Sequence, residues 1–175
     1  MTQTLASPWD TTWYAMAGIG QALVAIVVSV GAFNLRQSRK LRIIAYEERF
    51  EERYWHLMGR LSADALKGAV QRRPPNKCKD SDLQVVRSYF RLCETQLNVR
   101  ASGWITDATW DLWAQGIYGR MRHYPFTRVW DEVIANPRAD HLYRRLREFL
   151  DGGRDPCQLK GWARWWRGLS GPNRR

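Results

Sequence analysis

Residues 11–35 carry no Asp, Glu, Lys or Arg, and that limits what the chain can fold into more than any other feature. About 25 residues at about 1.5 Å rise per residue cross a hydrocarbon core of about 30 Å as one helix. A helix is the form that satisfies its own backbone in lipid, so the run centred on Ala22, Leu23, Val24, Ala25, Ile26, Val27 and Val28 reads as a single membrane span over residues 11–35.

The flanks orient the span. Trp9, Trp13 and Tyr14 stand at its first end, where amphipathic rings prefer the headgroup level, and Arg36, Arg39, Lys40 and Arg42 crowd the other. Basic residues are retained on the cytoplasmic side. The expectation is therefore an inner-membrane protein with residues 1–10 as a short external tail and everything after residue 35 in the cytoplasm. A cleaved signal peptide would carry its positive charges before a shorter apolar region; here they follow a longer one.

With the span set aside, about 135 residues remain, enough for one modest helical domain, expected over residues 36–157. Lys and Arg number 28 against 17 Asp and Glu, a net charge of +11. Such a surface favours anionic partners, the anionic inner leaflet first among them. Positive-inside bias accounts for much of that charge without any partner.

Helical periodicity continues past the basic cluster. Ile43, Tyr46, Phe50, Tyr54, Leu57 and Leu61 recur at three-and-four spacing, which predicts one helix running on to about Gln71 with this stripe inward. Glu47, Glu48, Arg49, Glu51, Glu52 and Arg53 alternate on the remaining faces as in a solvated helix. Pro74 and Pro75 end it. Ser81 and Gln84 have the spacing of a capping box, and Leu83, Val86, Phe90, Cys93 and Leu97 form the apolar face of the next helix. Glu94 adjoins that face; a buried carboxylate needs partners, so it is expected to hold Arg or backbone groups at a helix junction.

Gly103 is placed for a left-handed turn, with Thr106 or Asp107 capping the helix that carries Trp110, Trp113, Ile117 and Met121. Pro125 and Pro137 bound a short helix with Phe126, Val129, Trp130 and Val133. A last helix from about Ala139 buries Leu142, Leu146 and Phe149 and stops at Gly152 and Gly153. The fold class expected is all-α: one transmembrane helix continuing into a small cytoplasmic bundle.

Phe90, Glu94 and Leu97, the turn Gly103-Trp104-Ile105-Thr106-Asp107, the aromatic helix and the late Trp130 resemble a domain-of-unknown-function family of small bacterial single-pass membrane proteins. The chain departs from that pattern at Thr106, where an acidic residue often follows the Ile, and in its tryptophan-rich tail. The resemblance implies an N-terminal anchor, a basic stop and a cytoplasmic helical domain. It implies no activity and no catalytic residue.

The tail, residues 158–175, is basic and tryptophan-rich. Trp162, Trp165, Trp166 and Leu169 fall at i, i+3, i+4 and i+7, with Lys160, Arg164 and Arg167 adding charge. Two readings stand: a helix lying in the membrane interface, with Trp162, Trp165, Trp166, Arg164 and Arg167 toward lipid, or a segment folded back to complete the core. Tryptophan with arginine also stacks on single-stranded nucleic acid, but no recognised nucleic-acid module accompanies it.

Enzyme motifs are missing. His56, His123 and His141 are scattered; Cys78, Cys93 and Cys157 have no paired spacing; no phosphate loop or nucleophile elbow occurs. Neither a cofactor nor a metal is expected, and no catalytic residue is assigned.

Inside the anchor, Thr11, Ala15, Gly18, Ala22, Ala25, Ser29 and Ala32 repeat every three or four positions, with Gln21 beside them. Such a seam lets two backbones approach and predicts a homo-oligomer. The expected function is thus a membrane-anchored interaction or scaffold protein with a further protein partner to be identified. The alternative is a membrane-perturbing effector of the phage-lysis or host-defence type, using anchor and tail together.

Overall fold

The computed structural model describes residues 8–71, 79–136 and 141–169, without the side chains of residues 8–20, 22 and 69–71. All regular structure among the described residues is α-helical: α1 Pro8–Met58, α2 Ala63–Gln71, α3 Asp80–Ala101, α4 Asp107–Met121, α5 Phe126–Ile134, α6 Arg144–Gly152 and α7 Gly161–Trp166. The chain divides into two units, Met1–Lys40 and Leu41–Arg175.

The first unit holds the beginning of α1. Leu23, Val24, Ile26, Val27, Val28, Val30, Phe33 and Leu35 are all exposed, and such closely spaced positions cover every face of a helix. No helix among the described residues is long and apolar enough to cross a membrane. The expected span begins within the stretch whose side chains lie outside the described residues, which include Trp13, Tyr14, Ala15, Gly18 and Ala22.

The second unit is a helical domain with its own core. Val86, Phe90, Cys93 and Leu97 on α3 are fully buried, as their spacing predicts, together with Ile117, Phe126, Val129 and Leu146 from α4, α5 and α6. Phe90 meets Trp130 edge-on at 5.3 Å. Burial pushes the Cys93 thiol up to about 12, so it packs as a small hydrophobe.

Continuity from α1 to Gln71 does not hold. The helix stops at Met58 and turns through Gly59–Ser62 before α2. The Ser62 backbone N–H and hydroxyl donate to the buried Asp82 carboxylate at 2.9 and 2.7 Å, and the Ser62 hydroxyl accepts from the Ala65 N–H. A serine N-cap fixed by a carboxylate on α3 outweighs the propagation of a helix already weakened by Gly59. Using Asp82 in this way also bears on the expected Ser81–Gln84 box. Here α3 begins at Asp80 with Lys79 as N-cap and no side-chain cap bond.

Other junctions follow the sequence closely. Gly103 has φ 71°, and a Cβ there would lie 2.6 Å from Leu159 Cδ1, so the turn and the close approach both require glycine. Thr106 caps α4, accepting from the Thr109 N–H. Glu94 accepts from the backbone N–H groups of Arg145 and Leu146 at 3.2 and 2.9 Å, capping α6 from a neighbouring helix. That helix starts at Arg144, later than Ala139, because Tyr143 adopts a left-handed φ of 58°. Leu142 is accordingly exposed.

Candidate functional site: the docked tail and its tryptophan face

Arg100 organises the part of the domain to which the tail docks. It lies one turn beyond Leu97 on the buried face of α3, and its side chain is 0% exposed. Its Nε and Nη2 donate to the two oxygens of Asp155, Nη2 also donates to Asp107 at 2.7 Å, and Nη1 donates to the Ile105 carbonyl at 2.8 Å. Arg164, from α7, donates to the same two carboxylates at 2.7 and 2.8 Å. Two guanidinium groups and two carboxylates thus tie α3, the start of α4, the loop after α6 and the tail into one neutral cluster.

The electrostatics agree with that pairing. Burial by itself disfavours the charged forms; for Asp155, hydrogen bonds from Arg100, the Cys157 N–H and Arg164 outweigh it and hold the carboxyl below its usual range. The same carboxylates hold Arg100 and Arg164 above theirs, against burial. A carboxylate with a depressed folded-state pKa stabilises above its unfolded value, about 3.9, and that contribution is lost as pH falls through the folded value. Thermal midpoints are therefore expected to fall below about pH 4, with part of the fall absent in Asp155→Asn. Superimposable pH dependences in the two proteins would contradict the pairing.

Beside this cluster the tail docks through Leu169. The α7 helix stops at Trp166, Gly168 turns the chain with φ 71°, and Leu169 enters a fully buried position with Ile43 and Cys157, flanked by Trp104 and Leu159. The Leu169 carbonyl accepts from the Asp107 N–H at 2.9 Å. Arg167 donates to the Ser102 carbonyl.

What remains outward is aromatic: Trp162, Trp165 and Trp166 are 76%, 59% and 55% exposed. The tail thus divides between the two readings. Leu169 belongs to the domain, as in the folded-back reading, while the tryptophans do not complete the core. Arg164 and Arg167, expected toward lipid, are turned onto the domain because carboxylates and a carbonyl wait there. Arg36, Lys40 and Arg42 are exposed and Arg39 is half-buried.

Of the seam residues, Gln21, Ala25, Ser29 and Ala32 are exposed, and the Ser29 hydroxyl donates to the Ala25 carbonyl at 2.7 Å. Ala15, Gly18 and Ala22 lie outside the described side chains. Sequence reasoning passed over Arg100 and Asp155. A charged residue continuing the Phe90, Cys93 and Leu97 face was the available signal for the first, since a buried charge implies partners; no local signal marks the second. No protein-family model, curated protein or solved structure matches the chain.

Proposed function

We propose that the protein is a single-pass membrane-anchored helical scaffold whose domain rests on the anionic inner leaflet through the tryptophan face of α7. One observation carries this reading. Leu169, which fixes the tail, packs on Ile43, at the point where the chain enters the domain and only about two helical turns of chain beyond Leu35. Along the chain, the tryptophan-bearing tail is thus tied to a residue close to the proposed anchor.

The anchor itself rests on the uncharged run and on the apolar side chains exposed around α1 after Gln21. A helix apolar on every side needs an apolar surrounding. Amphipathic indole rings favour the headgroup boundary, and the Arg36–Arg42 cluster adds attraction to anionic lipid. The small-residue seam supports pairing of anchors, which would present two domains side by side for a protein partner.

Brominated lipid tests the arrangement. In anionic vesicles brominated near the headgroup, with Trp9 and Trp13 replaced by Phe, tryptophan emission is expected to be quenched. Replacing Trp162, Trp165 and Trp166 by Ala should remove most of that quenching, and undiminished quenching would contradict the proposal. The membrane-perturbing alternative uses the same face: depolarisation of expressing cells, abolished by the triple substitution, would favour it. The triple substitution is cleaner than deleting the tail, which would strip Arg164 and Leu169 from the buried cluster.

A further inference from the structure

A cleft of about 500 Å³ opens between α1 and α4, with α3 as its floor. Pairings along it show the two helices running in the same direction: Glu47 accepts from the Thr106 N–H and hydroxyl, each at 2.9 Å; Phe50 meets Trp113 edge-on at 5.4 Å; and the Arg120 guanidinium lies 4.7 Å from the Tyr54 ring centre. All three contacts lie within the domain, so the cleft is a feature of that unit alone.

Three kinds of group line it. The α1 wall presents Glu48 and Glu51, both exposed; Glu51 also accepts from the Trp55 indole N–H at 3.4 Å, and Glu47 is held by Thr106. Phe50, Trp113 and the 70% exposed Leu112 supply apolar surface. In the floor, Gln96 is only 6% exposed and adds a polar side chain to the lining.

We propose that this cleft binds an organic ammonium ion with an apolar body. The ammonium sits against Glu48 and Glu51, the body lies between Phe50, Trp113 and Leu112, and a polar atom of the ligand meets the Gln96 amide. Carboxylates lining a cleft in a chain of net charge +11 select for charge sign, and aromatic faces attract cations. Arg120, stacked on Tyr54, already occupies one such face and closes that end. The cleft is concave, largely apolar and sparsely polar, as small-molecule sites are. This inference is independent of the membrane proposal.

Benzyltrimethylammonium is a suitable probe, titrated calorimetrically into the full chain in maltoside micelles with the micelle-only signal subtracted. Saturable binding is expected, weakened about tenfold in Glu48→Gln/Glu51→Gln. A Cβ on Gly116 would meet nothing closer than Arg120 Nη1 at 4.0 Å, so Gly116→Phe should fill the cleft and abolish binding while Gly116→Ala keeps it within about twofold. Circular dichroism checks that each variant keeps its helices. Repeating the titration in phosphatidylcholine and phosphatidylglycerol nanodiscs identifies the source. Competition in phosphatidylcholine alone assigns the site to a lipid headgroup, and equal binding assigns it to a free amine; both outcomes support the site. Absence of saturable binding to the folded protein, or binding indifferent to Gly116→Phe and to the glutamate pair, would overturn it.

Discussion

Replacing Arg100 by Ala is expected to lower the unfolding free energy of the helical domain by about 3–5 kcal/mol, the usual consequence of removing one partner from a buried ion pair. The side chain is fully buried, and its guanidinium bonds Asp155 twice, Asp107 once and the Ile105 carbonyl once. Truncation leaves a cavity beside Trp110, whose ring lies 5.8 Å from the guanidinium carbon, and two carboxylates sharing Arg164 alone. Because domains of this size are stable by only about 5–15 kcal/mol, the variant should be unfolded in an appreciable fraction of molecules. Urea denaturation of both proteins measures the difference. A shift under about 1 kcal/mol, the range of surface pairs, would show that the cluster does not hold the domain together.

Placing charge in the proposed anchor should have an effect of similar size on a different property. Val24→Arg with Val28→Arg puts two guanidinium groups near the centre of the apolar run, at about 2.5–3.5 kcal/mol each on insertion scales. The double variant is expected to leave the carbonate-resistant membrane fraction while the domain keeps its helical content. Retention equal to the parent chain would mean that residues 11–35 do not hold the protein in a bilayer.

Legibility from sequence divides along physical lines. Local signals were readable: the core face of α3, the left-handed Gly103, the Thr106 cap and the stop at Gly152 and Gly153 each depend on a few neighbouring residues. Glu94 was readable as a partnered carboxylate at a helix junction, although it is only half-buried and its partners lie about 50 residues away. Contacts between distant segments were not. Nothing near Ser62 announces that Asp82 caps it and breaks the long helix, and nothing near Gly153 marks Asp155 as the partner of Arg100.

The tail shows a finer version of this limit. Its three-and-four spacing places Leu169 with the tryptophans only if the helix continues that far. The helix ends at Trp166 and Gly168 reverses the backbone, so Leu169 enters the core while the rings stay outside. Glu47 gives a parallel lesson on α1: it belongs to a run with the pattern of a solvated helix, yet it is half-buried and holds Thr106.

The proposed topology is a single crossing of the bilayer with the helical domain inside. Protease accessibility of terminal epitope tags in sealed, inverted inner-membrane vesicles, combined with a carbonate wash, tests this directly. The full-length chain should remain in the membrane pellet, its C-terminal tag digested and its N-terminal tag protected. Release of the chain into the supernatant, or protection of the C-terminal tag, would contradict it.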